Sequence, residues 1–381
     1  IAVLATLLQQ KSRWPEWCLS AVWLWLAALS ILMTAAFFHG YFVTGEWSRW
    51  ALANKFTGWF ILMAYFCLGG WLATNGGAAA RERFLQGFIA AFCVIAAGSL
   101  AVLYLNDLGI LAPLPFKAYP LAGLMGNRNA FAFLTVTVFC AAIFSAPPQS
   151  RILPLIAVLL AFLMVEIGSR TGLVVICAAF FVLGFLKPQQ IFRRILPGIV
   201  AGALLVGAVH GITGKPLLRE HQLRRAEVVA QALQQKGPLN VTTAKGVIRA
   251  RSSEAVRLRV AGDAFALWRE HPVFGAGLGS FLTVTYKKYE GTDTIVDLID
   301  CTPLWLLTET GVAGALLFGG FYAAALWALW WRRKDNPWAQ AMLLILLLFG
   351  VMSLAHEILF TRYIWLLLGL SLGSDSSLPR R

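Results

Sequence analysis

The sequence predicts an all-α, multi-pass membrane protein, and three observations carry that prediction. Of 381 residues, 59% are hydrophobic and only 13% are charged, whereas a soluble domain carries about 25% charged and about 45–50% apolar residues. Mean hydropathy is +0.71. Apolar runs recur along the chain at the roughly 20-residue length that a helix needs to cross a bilayer. An ordinary soluble enzyme, a disordered tail and a secreted disulfide scaffold are excluded. Cys18, Cys67, Cys93, Cys140 and Cys177 lie in apolar runs, where Cys acts as a small hydrophobe, and Cys301 stands alone near a span edge. Neither zinc-ligand spacing nor a disulfide framework is present.

Residues 1–8 read as the tail of a span. They do not read as a signal peptide, because Lys11 and Arg13 follow the apolar run instead of preceding it. Complete spans follow near 17–38, 56–79, 84–105, 121–146, 152–167, 172–186, 195–212, 303–331, 338–355 and 358–373. The runs 152–167, 172–186 and 358–373 are short, so backbone near them can be irregular where protein or water covers it. The run 195–212 follows Phe192-Arg193-Arg194 and is rich in glycine.

Orientation follows from the short connections. One side carries Lys11, Arg13, Arg81, Arg83, Arg151, Lys187, Arg193, Arg194, Arg332, Arg333, Lys334, Arg380 and Arg381. The other carries Arg49, Lys55, Lys117 and Arg362, with Arg128 and Arg170 at span edges. The richer side is expected to be cytoplasmic. The net charge of +14 would suggest nucleic acid in a soluble protein. Here much of it records topology instead.

One connection differs from the rest. The chain divides into N-terminal spans (1–212), a large polar loop (213–302) and C-terminal spans (303–381). By span count the loop is non-cytoplasmic, and it holds thirteen Lys/Arg against nine Asp/Glu. Long loops translocate largely regardless of charge, and loops of this length are usually functional. Helical patterns are expected at Leu217–Gln235 and at Glu254–His271, where Val256, Val260, Phe265, Leu267 and Trp268 form an amphipathic array. Pro272 and the glycines of Phe274-Gly275-Ala276-Gly277-Leu278-Gly279 then end the helix.

Five features gather on the non-cytoplasmic face. Gly126-Asn127-Arg128-Asn129 opens the 121–146 span. An intramembrane Arg costs about 2.5–3.5 kcal/mol on insertion scales, so Arg128 either contacts an anion, with Asn127 and Asn129 beside it, or snorkels to the interface. Gly168-Ser169-Arg170-Thr171-Gly172 joins two short spans. Its backbone N–H groups and Arg170 could hold an anion; otherwise it is a plain hairpin. Beyond them, Arg257 and Arg259 are the anion candidates of the loop helix. The glycines after Pro272 resemble a phosphate loop only superficially, because no strand precedes them, and His271 reads as a helix-end residue. Asp297, Asp300 and Cys301 precede the span that holds Glu309-Thr310-Gly311. Glu309 lies about two turns into that span, an expensive place for an unpaired carboxylate. Last, His356-Glu357 and Arg362-Tyr363 share the final outer turn, and His is the natural general base near neutral pH. No serine elbow, Walker loop or Asp-x-Asp pair is present. What remains is an arginine-rich outer site, suited to a lipid-linked diphosphate, because arginine holds phosphate bidentately and keeps its charge.

These residues resemble the O-antigen ligase and O-antigen polymerase superfamily of bacterial inner-membrane glycosyltransferases. The resemblance covers most of the chain. It rests on many spans, a large late loop, the Gly126–Asn129 segment, the Ser169-Arg170 turn, and Arg257 ahead of His271-Pro272. The runs Pro272–Gly277 and Glu309-Thr310-Gly311-Val312-Ala313-Gly314 complete it. It implies a GT-C-type bundle of about 11–12 transmembrane helices with one large helical periplasmic loop. It also implies a metal-independent, inverting, cofactor-free monomer that moves O-antigen polysaccharide from undecaprenyl diphosphate to the lipid A–core oligosaccharide. The implied partners are those two substrates and membrane lipids, without nucleic acid, and the implied site faces the periplasm. Arg170 and Arg257, with Arg128, would neutralise the diphosphate, and Asn127, Asn129, Ser169, Arg259, Glu309 and Arg362 would line the substrate site. The ligases carry a His ahead of the Gly-x-x-Gly turn. Counted back from Gly311 and Gly314, that place falls on Asp300, with Cys301 as its neighbour. Two candidates for the base therefore stand, Asp300 and His356; Ala355-His356-Glu357 is similar to a segment of protein O-oligosaccharyltransferases. The alternatives are a polymerase or such an oligosaccharyltransferase and, in another class, a lipid-linked glycan transporter. A transporter should show internal repeats and broken midplane helices. No repeat is visible, and polar residues cluster at one face, which favours an enzyme.

Overall fold

The computed structural model describes residues 21–110, 125, 127–145, 150, 152–213, 253–292, 296–334 and 336–373. Lys11, Arg13, Cys18, Lys117, Gly126, Arg151, Arg380, Arg381 and the 217–235 pattern lie outside the described residues. Among those described, every regular element is helical. We label them α1 (Ala21–Thr44), α2 (Thr57–Asp107), α3 (Arg128–Ser145), α4 (Ile152–Ile167), α5 (Arg170–Leu186), α6 (Leu196–Thr213), α7 (Ser253–Glu270), α8 (Ser280–Lys288), α9 (Thr302–Arg332), α10 (Pro337–Ser353) and α11 (Arg362–Leu372). π-Helical turns at Ala51–Phe56 and Ile191–Ile195 lead into α2 and α6.

Among the described residues, six stretches are long and apolar enough to cross a membrane: Val22–Thr44, Ala51–Gly76, Ala79–Asn106, Arg128–Ser145, Pro188–Ile212 and Thr302–Arg332. α4, α5, α10 and α11 are shorter apolar helices. The protein is a multi-pass, all-α membrane protein. The first expectation to change is a connection. The connection between 79 and 84, read as a loop, is helical within α2. Ala78 to Ala80 and Arg81-Glu82-Arg83 are strong helix formers with no proline among them. Gln86 Nε2 donates to Glu82 Oε1 at 3.2 Å, one turn on, and Arg83 Nε donates to the Ala79 carbonyl at 3.3 Å.

The chain forms two compact units. The first comprises Ile1–Gly77, Arg259–Leu329 and Leu359–Arg381. Its core holds Trp59, which meets Phe318 and Trp365 edge-on at 5.5 and 5.3 Å. α2 and α11 cross at two glycines. A Cβ on Gly69 would lie 2.0 Å from the Leu366 carbonyl oxygen, and one on Gly369 would lie 2.0 Å from that of Phe66. Small residues let transmembrane backbones approach this closely. Lys55 is only 4% exposed. Its ammonium stands 5.2, 4.5 and 4.3 Å from the ring centres of Trp50, Trp305 and Phe360, where aromatic faces attract a cation.

α9 is broken where the sequence suggested an unbroken span. Gly311 has φ 68 and ψ −170, which releases backbone groups that must be paired inside a membrane protein. The Pro272–Gly279 turn pairs them. Ala276 N–H donates to the Thr308 carbonyl at 2.8 Å and Gly277 N–H to that of Glu309 at 3.0 Å. In return, Val312 N–H donates to the Pro272 carbonyl and Ala313 N–H to that of Val273, both at 3.0 Å. Leu278 N–H takes the Ala36 carbonyl of α1 at 2.9 Å. The glycines thus shape a turn, and its amides are spent on backbone instead of phosphate. α7 buries Val260, Ala264 and Leu267, spaced four and three residues apart. Phe265, expected on that stripe, faces outward, between Trp268 (ring centres 5.2 Å apart) and the Arg269 guanidinium (4.6 Å from the ring centre).

The second unit comprises Ala78–Leu258 and Trp330–Ile358. α3 is buried on nearly every side from Phe131 to Phe144, as expected of a central helix that is apolar all round. α10 packs on it through Phe349 against Phe133, and α5 through Gly172 against Ala132. α6 lies on α4 at Gly198 and Gly202, where an added Cβ would meet Pro154, Ala157, Val158 and Ala161.

Candidate functional site

Within the second unit, two helices begin on arginine: Arg128 opens α3 and Arg170 opens α5. A cation is the wrong sign for the positive end of a helix macrodipole. A cation there adds to the positive potential of the helix start, so each end carries the electrostatics that an anion would meet favourably. Arg170 is exposed and Arg128 half-buried. Between α4 and α5 the chain reverses at Gly168, whose φ is 59. Ser169 then caps α5, its Oγ accepting the Gly172 N–H at 3.0 Å.

That cap begins a hydrogen-bonded chain. Ser169 Oγ donates to Asn129 Oδ1 at 2.7 Å, and Asn129 is itself seated by its N–H to Asn127 Oδ1 at 2.8 Å. Asn129 Nδ2 faces His356 Nδ1 at 3.4 Å, and His356 Nε2 faces Thr171 Oγ1 at 3.1 Å. An amide N–H can only donate, so Nδ1 is the acceptor and the ring proton sits on Nε2, toward Thr171. The turn after α10 therefore holds a neutral imidazole against the Ser169–Thr171 turn.

Electrostatics agree that the ring is neutral. His356 is 5% exposed. Burial first, then the positive charges of Arg257 and Arg128, push its pKa from 6.5 down to about 4. Between those two values the unfolded chain binds more protons at this residue than the folded one. Stability from this group is therefore complete above pH 6.5 and is lost as pH falls toward 4. A ring-proton NMR titration should place the His356 midpoint near 4 instead of 6.5. His356→Gln should lose less melting temperature than the wild type between pH 7 and about 5; equal losses would refute the assignment.

The structure thus brings together Asn127, Asn129, Ser169 and His356, with Arg128 and Arg257 close enough to act on the imidazole. Thr171, not singled out in the sequence, joins them. Asp300, Arg259, Glu309 and Arg362 belong to the first unit. Glu309 is buried beside the α9 break, and Asp300 is half-buried just ahead of α9. Arg259 lies over the Tyr289 ring at 5.4 Å, and Arg362 is exposed at the start of α11. Asp263 ties α7 to the end of α8, accepting from Lys288 Nζ at 2.7 Å and Tyr289 Oη at 2.8 Å. The first of these bonds raises the Lys288 pKa. A trio missed in the sequence, half-buried Tyr104 with buried Glu166 and His210, lies in the second unit. The signal for it was the lone carboxylate in the apolar 152–167 run.

Residues 155–319 match the family model described as O-antigen ligase. That stretch, under half of the chain, is similar to the O-antigen ligase family. No curated protein matches the chain. The matched stretch contains the Ser169-Arg170 turn, Arg257, Asp300 and the α9 break. Arg128, Asn129 and His356 lie outside it. The histidine thus comes from a part of the chain that the family model does not cover.

Proposed function

We propose that the protein is an inverting, metal-independent glycosyltransferase that moves O-antigen polysaccharide from undecaprenyl diphosphate to the lipid A–core oligosaccharide. In this reading it sits in the bacterial inner membrane, and residues 213–302 and the site face the periplasm. One observation carries the reading: a neutral imidazole tied to the Arg170 turn, with Arg128 and Arg257 acting on it. Arg170, Arg257 and Arg128 bind the diphosphate and stabilise charge developing on it as the glycosyl bond breaks, where preorganised electrostatics contributes most. A bound diphosphate also offsets the two charges that depress His356. The base is therefore strengthened only once the donor is in place. His356 Nδ1, exchanging its contact with Asn129 Nδ2 for the acceptor hydroxyl, removes that hydroxyl's proton, a step worth about 10²–10⁴-fold. Attack opposite the diphosphate inverts the anomeric carbon.

The α9 break does not favour a transporter. Transporters use unwound carbonyls to coordinate ions, whereas here the Thr308 and Glu309 carbonyls accept from the Pro272–Gly279 turn. The test is complementation of a deletion strain, read as lipopolysaccharide. Unmodified core in the deletion strain supports a ligase, core plus a single unit would make the protein a polymerase, and unglycosylated protein an oligosaccharyltransferase. In the same assay His356→Ala should lower transfer about 10²-fold or more, and Asp300→Ala by less. The reverse order would move the base to Asp300.

A further inference from the structure

Three helices of the second unit place polar side chains at one buried point. From α2, Tyr104 Oη donates to Glu166 Oε1 at 2.7 Å. From α6, His210 Nε2 lies 2.8 Å from the same oxygen. Glu166 and His210 are 2% and 4% exposed. The Tyr104 ring meets those of Phe162 and His210 edge-on at 6.2 and 6.3 Å. An ionisable cluster inside apolar helices is costly and marks a constraint beyond packing.

Its place in the chain says what it constrains. Glu166 is in the last turn of α4, and Gly168, Ser169 and Arg170 follow at once. A slip of α4 by one residue turns its face by about 100° and would carry Glu166 away from both partners. The same slip would carry Ser169 away from Asn129. Holding Glu166 from two neighbouring helices therefore sets the height and rotation of the turn.

We propose that Glu166, clamped by Tyr104 and His210, is a positioning residue that fixes the Ser169–Arg170 turn for anion binding. The proposal rests on the reading of Arg170 as a diphosphate contact. Its working part is the acceptor oxygen Oε1. Glu166→Gln keeps that oxygen and should behave as wild type. Glu166→Leu keeps the bulk and removes both bonds.

The experiment uses the full chain in nanodiscs, with undecaprenyl diphosphate as the binding probe. Hydrogen exchange of peptides covering 168–173 reads the turn directly, because the Gly172 amide is bonded to Ser169 Oγ. Glu166→Leu is expected to speed exchange there while peptides from 259–279 keep wild-type protection. It should also weaken donor binding about tenfold and lower kcat as well as raise donor KM, because the misplaced Arg170 would also stabilise the departing diphosphate less. Glu166→Gln should restore both. Unchanged exchange at 168–173, or faster exchange throughout the protein, would overturn the proposal, the second showing a general structural role. If Glu166→Leu fails to fold, Tyr104→Phe decides. It removes one bond at constant shape and should speed exchange at 168–173 alone, and no local change would again overturn the proposal. Should the wild type transfer no glycan, the glycosyltransferase reading falls and the exchange data still decide the positioning role.

Discussion

Arg170→Ala and Arg257→Ala are each expected to lower polymer transfer to lipid A–core by about 10²-fold or more, with normal amounts of protein in the membrane. Losing one preorganised charge on a developing anion typically has that effect. Arg170 is exposed at the start of α5 and Arg257 half-buried on α7, so neither truncation opens a core cavity. Lysine at either position should restore only part of the activity, because it offers a point charge in place of a planar fork. The double variant should lose less than the product of the single losses, since both groups would grip one diphosphate. Arg257→Ala carries a second signature: with one of its two depressing charges gone, the His356 titration should move up from about 4. Normal transfer with either single variant would remove the arginines from the mechanism.

The largest stability effect is expected at the α9 break. A Cβ on Gly311 would stand 2.2 Å from the Val273 carbonyl oxygen, and one on Gly277 would stand 2.1 Å from the Gly40 amide nitrogen. Both glycines also have positive φ, 68 and 91, where a side chain adds strain. The neighbours are backbone, so no side chain can swing away. Gly311→Ala and Gly277→Ala should each cost about 3 kcal/mol or more and sharply reduce folded protein recovered from membranes. Gly87→Ala is the control, since nothing lies within 4 Å of its added Cβ. Thermal unfolding in detergent checks all three. Wild-type melting of Gly311→Ala would mean that the turn is not seated in the break.

Legibility in the sequence followed physical range. Hydropathy is local, so the spans could be read directly: 152–167 falls on α4, Ile152–Ile167, and 338–355 on α10, Pro337–Ser353. The 79–84 connection was misread because Arg and Glu suit a loop and an exposed helix equally. Phe265 was assigned to the buried stripe of α7 by hydrophobicity, and its place is set by Trp268 and Arg269 instead. Arg128 and Arg170 were legible as site candidates because a charge at a span edge costs free energy that something must offset, whereas Arg257 stood out only as a cation on the loop helix.

The composition and order of residues by themselves determined a multi-pass helical protein. They also marked the glycines of 275–279 as a turn, because backbone conformation is encoded by the residue that adopts it. Only the tertiary structure decided what those features meet. It seated the glycine turn in the broken α9, set the neutral His356 between Asn129 and Thr171, and joined Tyr104, Glu166 and His210 at one oxygen. Each of these contacts joins residues dozens to hundreds of positions apart, and pairing at that range is chosen by helix packing, which no local pattern encodes.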